Sequence, residues 1–293
     1  MLPAADPRYD RFNPHPSPPR LRLPRGSCDT HTHVYGDPAL FSYDAGRAPR
    51  YAPKEALFAL HRTLGIDRCV VVQSVAHGFD NRVVQDVIDA GKGRYLGVAL
   101  LPTDVPQAEL ERQAGRGMRG VRFNFMRLVP GLDEIETLVA FTRRLRDAGM
   151  HLQLHLAPDL IHAFVEPLQR SAVPVVIDHM GRVDASLGPD HAHYRMVFEL
   201  MRNPLFHVKV CGVDRVDWNP ASAPGYDKGV LLARRLVEAY PDRCFWGTDW
   251  PHPSHTHMPD DGKLVDALER IAPTPAHLRK LLVDNPARFY RFM

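Results

Sequence analysis

Four histidines and an aspartate stand at positions where they could act together: His31 and His33 in the run Cys28-Asp29-Thr30-His31-Thr32-His33, then His155, His179 and Asp249. Side chains two apart on a β-strand project to the same face, about 6–7 Å apart along the chain. His31 and His33 would therefore aim two imidazoles at one point, where they could grip a cation or polarise a carbonyl. An isolated H-x-H pair is more commonly a pair of hydrogen-bonded strand histidines, so the weight falls on the partners further along.

Those partners need a scaffold that gathers them. Apolar strand-like runs cover residues 27–34, 68–74, 95–101, 120–125, 151–156, 173–178, 206–211 and 243–248, and helical patterns such as 54–64, 81–90, 134–148, 190–202 and 228–240 lie between most of them. About eight strands alternating with helices predict an α/β protein with one (β/α)8 TIM barrel over residues 25–293. Gly65, Gly91 and Gly149 sit where helices should stop. Residues 1–24, rich in Pro and Arg without periodicity, read as an extended arm on the body or a partner subunit.

On this map His31 and His33 end strand one, Ser74 ends strand two, Arg122 and Asn124 end strand four and His155 ends strand five. His179 follows strand six, Cys211 and Gly212 end strand seven, and Asp249 follows strand eight. The C-terminal strand ends of such a barrel converge on one mouth, where active sites are built. Two chemistries fit the cluster. His31, His33, His155 and Asp249 could bind a divalent metal such as zinc with an open water position, leaving His179 as a nearby acid or base. Without a metal, Asp249 could take a proton from water while His31, His33 and His179 hydrogen-bond the carbonyl that gains charge. Both predict hydrolysis, and they differ in what His155 does.

Composition narrows the alternatives. The chain has 293 residues, 44% of them hydrophobic and 24% charged, and no apolar run reaches the ~20 residues of a membrane helix. A net charge of +3 with dispersed arginines gives no nucleic-acid face. Lysine occurs only at 54, 92, 209, 228, 263 and 280, so arginine supplies most of the positive charge. Cys28, Cys69, Cys211 and Cys244 are far apart and fall in predicted strands, as expected of reduced core residues; with no secretory pattern at the start, a cytoplasmic protein is expected. His252, His255 and His257 read as exposed loop histidines rather than a second metal site, and His191 and His193 as solvent-facing. Gly115, Gly117 and Gly120 lack the strand-to-helix order of a dinucleotide fingerprint.

Three segments carry a family likeness: 29–33 (DTHTH), 177–182 (IDHMGR) and 246–253 (WGTDWPHP), supported by 117–125, 259–262 and 271–275. Together they resemble the amidohydrolase superfamily and, within it, the 2-pyrone-4,6-dicarboxylate lactonases of aromatic catabolism. The resemblance implies a lactonase with no required metal: Asp249 activates water, and His31, His33 and His179 polarise the ester carbonyl. It further implies that Tyr51, Ser74, Arg122, Arg127, Arg182 and Arg215 hold a small dicarboxylate, a role in which arginine forks suit carboxylates. His77 is a candidate for the pocket wall. His155 stands where the lactonases are expected to carry tyrosine and metal-dependent members carry histidine, so a zinc or manganese enzyme acting on a related lactone, such as a sulfomuconolactone, is the first alternative. A metal-dependent decarboxylase and a lactone isomerase follow. A monomer and a homo-oligomer are both open.

Overall fold

The computed structural model describes residues 12–47, 51–126, 131–217, 225–255 and 257–292. Eight strands, β1 (Cys28–Thr32), β2 (Arg68–Val72), β3 (Tyr95–Ala99), β4 (Met118–Phe125), β5 (His151–Leu156), β6 (Val175–Ile177), β7 (Phe206–Lys209) and β8 (Cys244–Phe245), lie side by side in sequence order. Every neighbouring pair is parallel. The seam between β8 and β1 is closed by the Thr30 N–H donating to the Trp246 carbonyl (2.9 Å) and the Asp249 N–H donating to the His31 carbonyl (2.8 Å). The result is the (β/α)8 barrel expected from the alternation. β6 and β8 are shorter than their apolar runs: the chain leaves the ladder at residues 178 and 246, ahead of His179 and Asp249 at the mouth. Cys211 likewise lies just past β7, and all four cysteines are buried and free.

Outside the barrel run α1 (Lys54–Leu64), α2 (Arg82–Gly91), α3 (Gln107–Gly115), α4 (Leu132–Asp147), α5 (Ile161–Leu168), α6 (Ala192–Leu200), α7 (Val213–Val216) and α8 (Asp227–Ala239). Helix α1 buries Ala56, Leu57, Leu60 and Leu64, a stripe at helical spacing, and stops at Gly65 with φ 76°. The stop after α2 falls one residue later than expected: Lys92 takes the left-handed turn, and Gly91 is needed because a Cβ there would lie 2.6 Å from the Tyr95 side chain. After β8 come α9 (Asp261–Asp266), α10 (Leu268–Ile271), α11 (Pro275–Arg279), a π-turn (Lys280–Asp284) and α12 (Asn285–Tyr290).

The barrel interior is layered, and strand β5 shows how. Leu152, Leu154 and Leu156 face the helices within the main apolar core, while His151, Gln153 and His155 face the barrel axis at the floor, the middle and the mouth. Their partners on β4 are Gly120, Arg122 and Asn124. The floor is plugged from below by Phe289 and Tyr290 of α12, which join Val70, Val98, Val176 and Phe245 in a second, interior apolar cluster. Residues 12–24 lie along the outside as extended chain: Phe12 packs edge-on to Trp250 (5.0 Å), the Ser17 N–H donates to Asp260 (3.0 Å), and the Arg20 and Leu21 N–H groups donate to Asp266 (2.7 and 3.0 Å).

Candidate active site

The mouth is organised around one oxygen. Asp249 Oδ1 lies 3.6 Å from His31 Nε2, 3.5 Å from His33 Nε2 and 3.9 Å from His179 Nε2. Among the described residues it has no hydrogen-bond partner, nor does His31 Nε2, and both are shielded from solvent. The other carboxylate oxygen, Oδ2, is gripped by Arg215 through Nε (3.0 Å) and Nη2 (2.5 Å). Asp249 reaches this place through a left-handed backbone (φ 66°), and His179, Met180, Gly181 and Arg182 form a left-handed run (φ 49°, 53°, 68° and 57°) that turns His179 inward after β6. Such conformations are costly for residues with a Cβ and concentrate at functional sites.

Each imidazole is fixed from behind. His33 Nδ1 lies 2.7 Å from the Val72 carbonyl, which can only accept, so the proton sits on Nδ1 and Nε2 offers a lone pair. Behind His31 stands Lys209, fully buried on β7. Its ammonium donates to the Thr30 carbonyl (2.8 Å) and Gln153 Oε1 (3.1 Å), and its third hydrogen faces His31 Nδ1 at 3.2 Å. Asp178, 3.3 Å from the same nitrogen, already accepts from Arg122 Nε (2.8 Å) and Gln153 Nε2 (2.9 Å). With the Lys209 hydrogen donated to Nδ1, His31 carries its own proton on Nε2, facing the mouth; with Nδ1–H donated to Asp178, Nε2 offers a lone pair instead. His179 Nδ1 lies 3.2 Å from Cys211 Sγ.

Electrostatics separate the carboxylate from the imidazoles. Burial opposes charge on Asp249, but Arg215, His179 and His33 hold its carboxyl well below the usual carboxylate range. Burial, assisted by Lys209, pushes His31 down to about 4, and burial lowers His179 as well. The site thus combines an ionised carboxylate with neutral His31 and His179. His155 has both ring nitrogens shielded and without a partner among the described residues, its ring 5.3 Å from that of His179, and burial followed by Arg122 lowers its pKa strongly. One ligand atom each from His31, His33 and Asp249 falls within 4.8 Å of the others, a set that fits a cation; His155 stands outside it.

The remaining expected residues divide. Arg122 is buried against Asp178. Arg182 has no hydrogen-bond partner among the described residues, and burial pushes its guanidinium down to about 10. Arg215 serves as the clamp on Asp249 rather than a fork open to ligand, because its Nη2 also meets the Pro253 carbonyl (3.0 Å) and His255 Nδ1 (2.8 Å). Ser74 reaches the Tyr35 hydroxyl (3.2 Å). The His77 nitrogens face the Ser42 carbonyl (2.7 Å) and the Gly36 N–H (3.4 Å), and its ring packs on Tyr43, so it anchors the loop after β1. Tyr51 is half-buried, and Arg127 lies outside the described residues. His252, His255 and His257 are not exposed as expected: their side chains are at most 5% accessible, because Asp214 and Asp261 pair with them. His191 and His193 are half-buried at the start of α6.

A barrel whose mouth gathers an H-x-H pair, a histidine after β6 and an aspartate after β8 defines the amidohydrolase class of enzyme. The chain matches the amidohydrolase family over residues 28–292 and belongs to it. It is 38% identical over 284 residues to a 4-sulfomuconolactone hydrolase of Hydrogenophaga intermedia, covering 94% of this chain and 92% of that protein. It is also 38% identical over 301 residues to a 2-pyrone-4,6-dicarboxylate hydrolase of Comamonas testosteroni, covering 94% and 93%. A Pseudomonas putida structure, provisionally named a 2-pyrone-4,6-dicarboxylic acid hydrolase, superposes with a TM-score of 0.80 at 29% identity, covering 93% of this chain and 99% of that one. Among the described residues no helix is long and apolar enough to cross a membrane.

Proposed function

We propose that this enzyme hydrolyses an anionic lactone of aromatic catabolism, with 2-pyrone-4,6-dicarboxylate the substrate its site fits best and Asp249 the general base. The observation that carries the reading is the set of atoms facing Asp249 Oδ1. His33 Nε2 and Asp249 Oδ1 are both acceptors, 3.5 Å apart, and a water bound beside them would donate one hydrogen to each. Asp249 takes the proton as the water oxygen bonds to the lactone carbonyl carbon. His31 Nε2–H and His179 donate to the carbonyl oxygen as it gains charge. Collapse breaks the ring C–O bond, and the leaving oxygen recovers the proton from Asp249. The product is a ring-opened oxo- or hydroxymuconate-type tricarboxylate. Arg182, with no hydrogen-bond partner among the described residues, and Arg122 present guanidinium groups to the substrate carboxylates, with Tyr51, Ser74 and His155 completing the pocket.

A second reading has its own observation: the His31, His33 and Asp249 ligand atoms lie close enough to hold one divalent cation such as zinc or manganese. His31 would then carry its proton on Nδ1, against Asp178, and the ion would supply Lewis-acid polarisation of the carbonyl. The Lys209 ammonium at that nitrogen favours the metal-free form. Elemental analysis of purified protein beside a pyrone-hydrolysis assay separates the two. Full turnover after chelation supports the metal-free mechanism, while activity lost with the metal and restored by zinc or manganese overturns it. Solvent oxygen in the product supports hydrolysis; release of carbon dioxide or a product without that oxygen overturns it in favour of a lyase or an isomerase.

A further inference from the structure

The seam between β8 and β1 holds a buried carboxylate that the chemistry above leaves unused. β8 is only two residues long, and residues 246–250 run on beside β1 without forming a strand. Asp29 of β1 bonds across that gap. Its Oδ1 accepts the N–H groups of His31 (3.0 Å) and Thr248 (3.1 Å), and its Oδ2 accepts the Thr248 hydroxyl (2.6 Å). The Thr248 hydroxyl oxygen in turn accepts the Trp250 N–H (3.1 Å). Asp29 and Thr248 are fully buried, and His61 of α1 brings Nε2 to 3.5 Å from Asp29 Oδ2 while its Nδ1 meets the Tyr95 hydroxyl (2.8 Å). A Cβ on Gly247 would lie 2.5 Å from the His31 nitrogen and 2.7 Å from Asp29 Oδ1, so glycine is what lets the two segments come this close.

We propose that Asp29 and Thr248 are positioning residues of the reaction, which set Asp249 against the imidazoles of His31 and His33. The inference rests on the lactonase reading, in which Asp249 is the base. One carboxylate binds the backbone nitrogen of His31 and both donors of the residue just before Asp249, so the two sides of the reacting gap share a single anchor. The His31 backbone is then bonded on both sides, its N–H to Asp29 and its carbonyl to the Asp249 N–H (2.8 Å). Asp249 stands in a left-handed conformation (φ 66°), which persists only where the surroundings over-determine it. Its two neighbours supply that constraint, Thr248 directly and Trp250 through the Thr248 hydroxyl. Hydrogen bonds to an ionised carboxylate are the strong kind, and they suit a joint that must hold Asp249 Oδ1 at 3.5–3.6 Å from two Nε2 atoms. Asp29 acts through Asp249 rather than on the substrate.

Thr248→Val removes the hydroxyl at nearly constant volume, and Thr248→Ser keeps it. Thr30→Val is the matched control, because the Thr30 hydroxyl donates to the Trp246 carbonyl (2.9 Å) across the same seam without reaching Thr248 or Trp250. All are assayed on the pyrone dicarboxylate at a temperature where circular dichroism shows them folded. Thr248→Val should lower kcat about tenfold and Asp29→Asn about 10–10²-fold, each with KM within about twofold, the signature of a misplaced reacting group. Thr248→Ser should return kcat to within about threefold of the wild type, and Thr30→Val should leave it there. Equal losses in Thr248→Val and Thr30→Val, or no recovery in Thr248→Ser, overturn the proposal. If Asp29→Asn does not fold, the Thr248 variants decide. A crystal structure of Thr248→Val supplies a readout without activity: Asp249 Oδ1 should leave its 3.5 Å separation from His33 Nε2, and a wild-type separation overturns the proposal. That distance needs no substrate, so a chain that does not hydrolyse the pyrone defeats the lactonase reading, while an unmoved Asp249 defeats this one.

Discussion

The two ends of the barrel interior each hold buried histidines, and the difference lies in what surrounds them. At the mouth, His31, His33 and His179 aim Nε2 at a carboxylate oxygen that nothing else satisfies. At the floor, His151 and His207 are packed among aromatic rings: His151 meets Phe289 and Tyr290 (5.0 and 5.5 Å), and His207 stacks on Phe245 (5.6 Å) and meets Phe289 (4.6 Å). Burial lowers the pKa at both ends, to about 3 for His151, about 4 for His207 and about 4 for His31. A displaced pKa therefore does not mark the site by itself. What marks it is an ionised carboxylate with an unpaired oxygen facing the rings. The floor uses imidazole as a flat apolar filler, the mouth as a positioned donor or acceptor.

The sharpest way to break this comparison is Asp249→Asn. The amide keeps the shape but cannot take the proton, so kcat on the pyrone dicarboxylate should fall by about 10²–10⁴-fold with KM little changed. Replacing a floor histidine should leave kcat alone. Near-normal turnover in Asp249→Asn, measured as loss of pyrone absorbance, would remove the assignment of the base.

Between the two ends lies a charged layer that serves the mouth. Lys209, Asp178, Arg122 and Gln153 bond one another at full burial. Lys209→Met removes the hydrogen that faces His31 Nδ1 and leaves Asp178 with Arg122 as its main cation. Breaking a buried pair costs about 3–5 kcal/mol, and the surviving Arg122 contact places this variant toward the lower value. The decisive readout is activity at a temperature where the variant is folded: kcat should still be down by at least tenfold, with a shifted pH profile. A folded variant with wild-type kcat and pH profile would show that Lys209 only fills space.

The barrel and its mouth were legible because apolar runs alternate with helical patterns and because polar residues end the strands. The middle layer was written just as plainly but in an inverted code. In His151-Leu152-Gln153-Leu154-His155-Leu156 the apolar residues face the helices and the polar ones face the barrel axis, and Phe206-His207-Val208-Lys209 repeats the pattern. Assigning a strand's apolar face to the interior hides Gln153 and Lys209, and a parallel barrel turns that face outward. The burial of His252, His255 and His257 was not legible, since their acidic partners Asp214 and Asp261 sit on other elements. Nor was the role of Arg215, because a guanidinium suited to a substrate carboxylate suits Asp249 equally well.

At the floor, Gly120→Ala tests packing without chemistry. A Cβ there would lie 2.5 Å from the His151 ring, and Tyr290 closes the space beyond it. Overpacking of this kind costs about 1–3 kcal/mol. The loss should appear in a urea midpoint while kcat, some two layers above, stays within about twofold; a large fall in kcat would mean that the two ends are coupled. That expectation uses the thermodynamic cost of crowding a full interior.

His207→Phe makes the finest cut, because it retains the flat ring and removes only the ability to take a proton. The His207 imidazole titrates at about 4 in the folded barrel, through burial, against 6.5 when unperturbed. As pH falls below 6.5 the unfolded chain binds a proton that the folded chain refuses until about 4, so stability is lost through that window and levels off below it. Each unit of depression is worth about 1.4 kcal/mol, and the partial exposure of the ring reduces the total to roughly 1–2 kcal/mol. His207→Phe should therefore lose less stability than the wild type between pH 6.5 and 4.5, with kcat at neutral pH unchanged. Parallel urea midpoints for the two proteins across that range would mean that the floor imidazole already shares the solvent's proton, and the contrast with the mouth would then rest on the carboxylate alone.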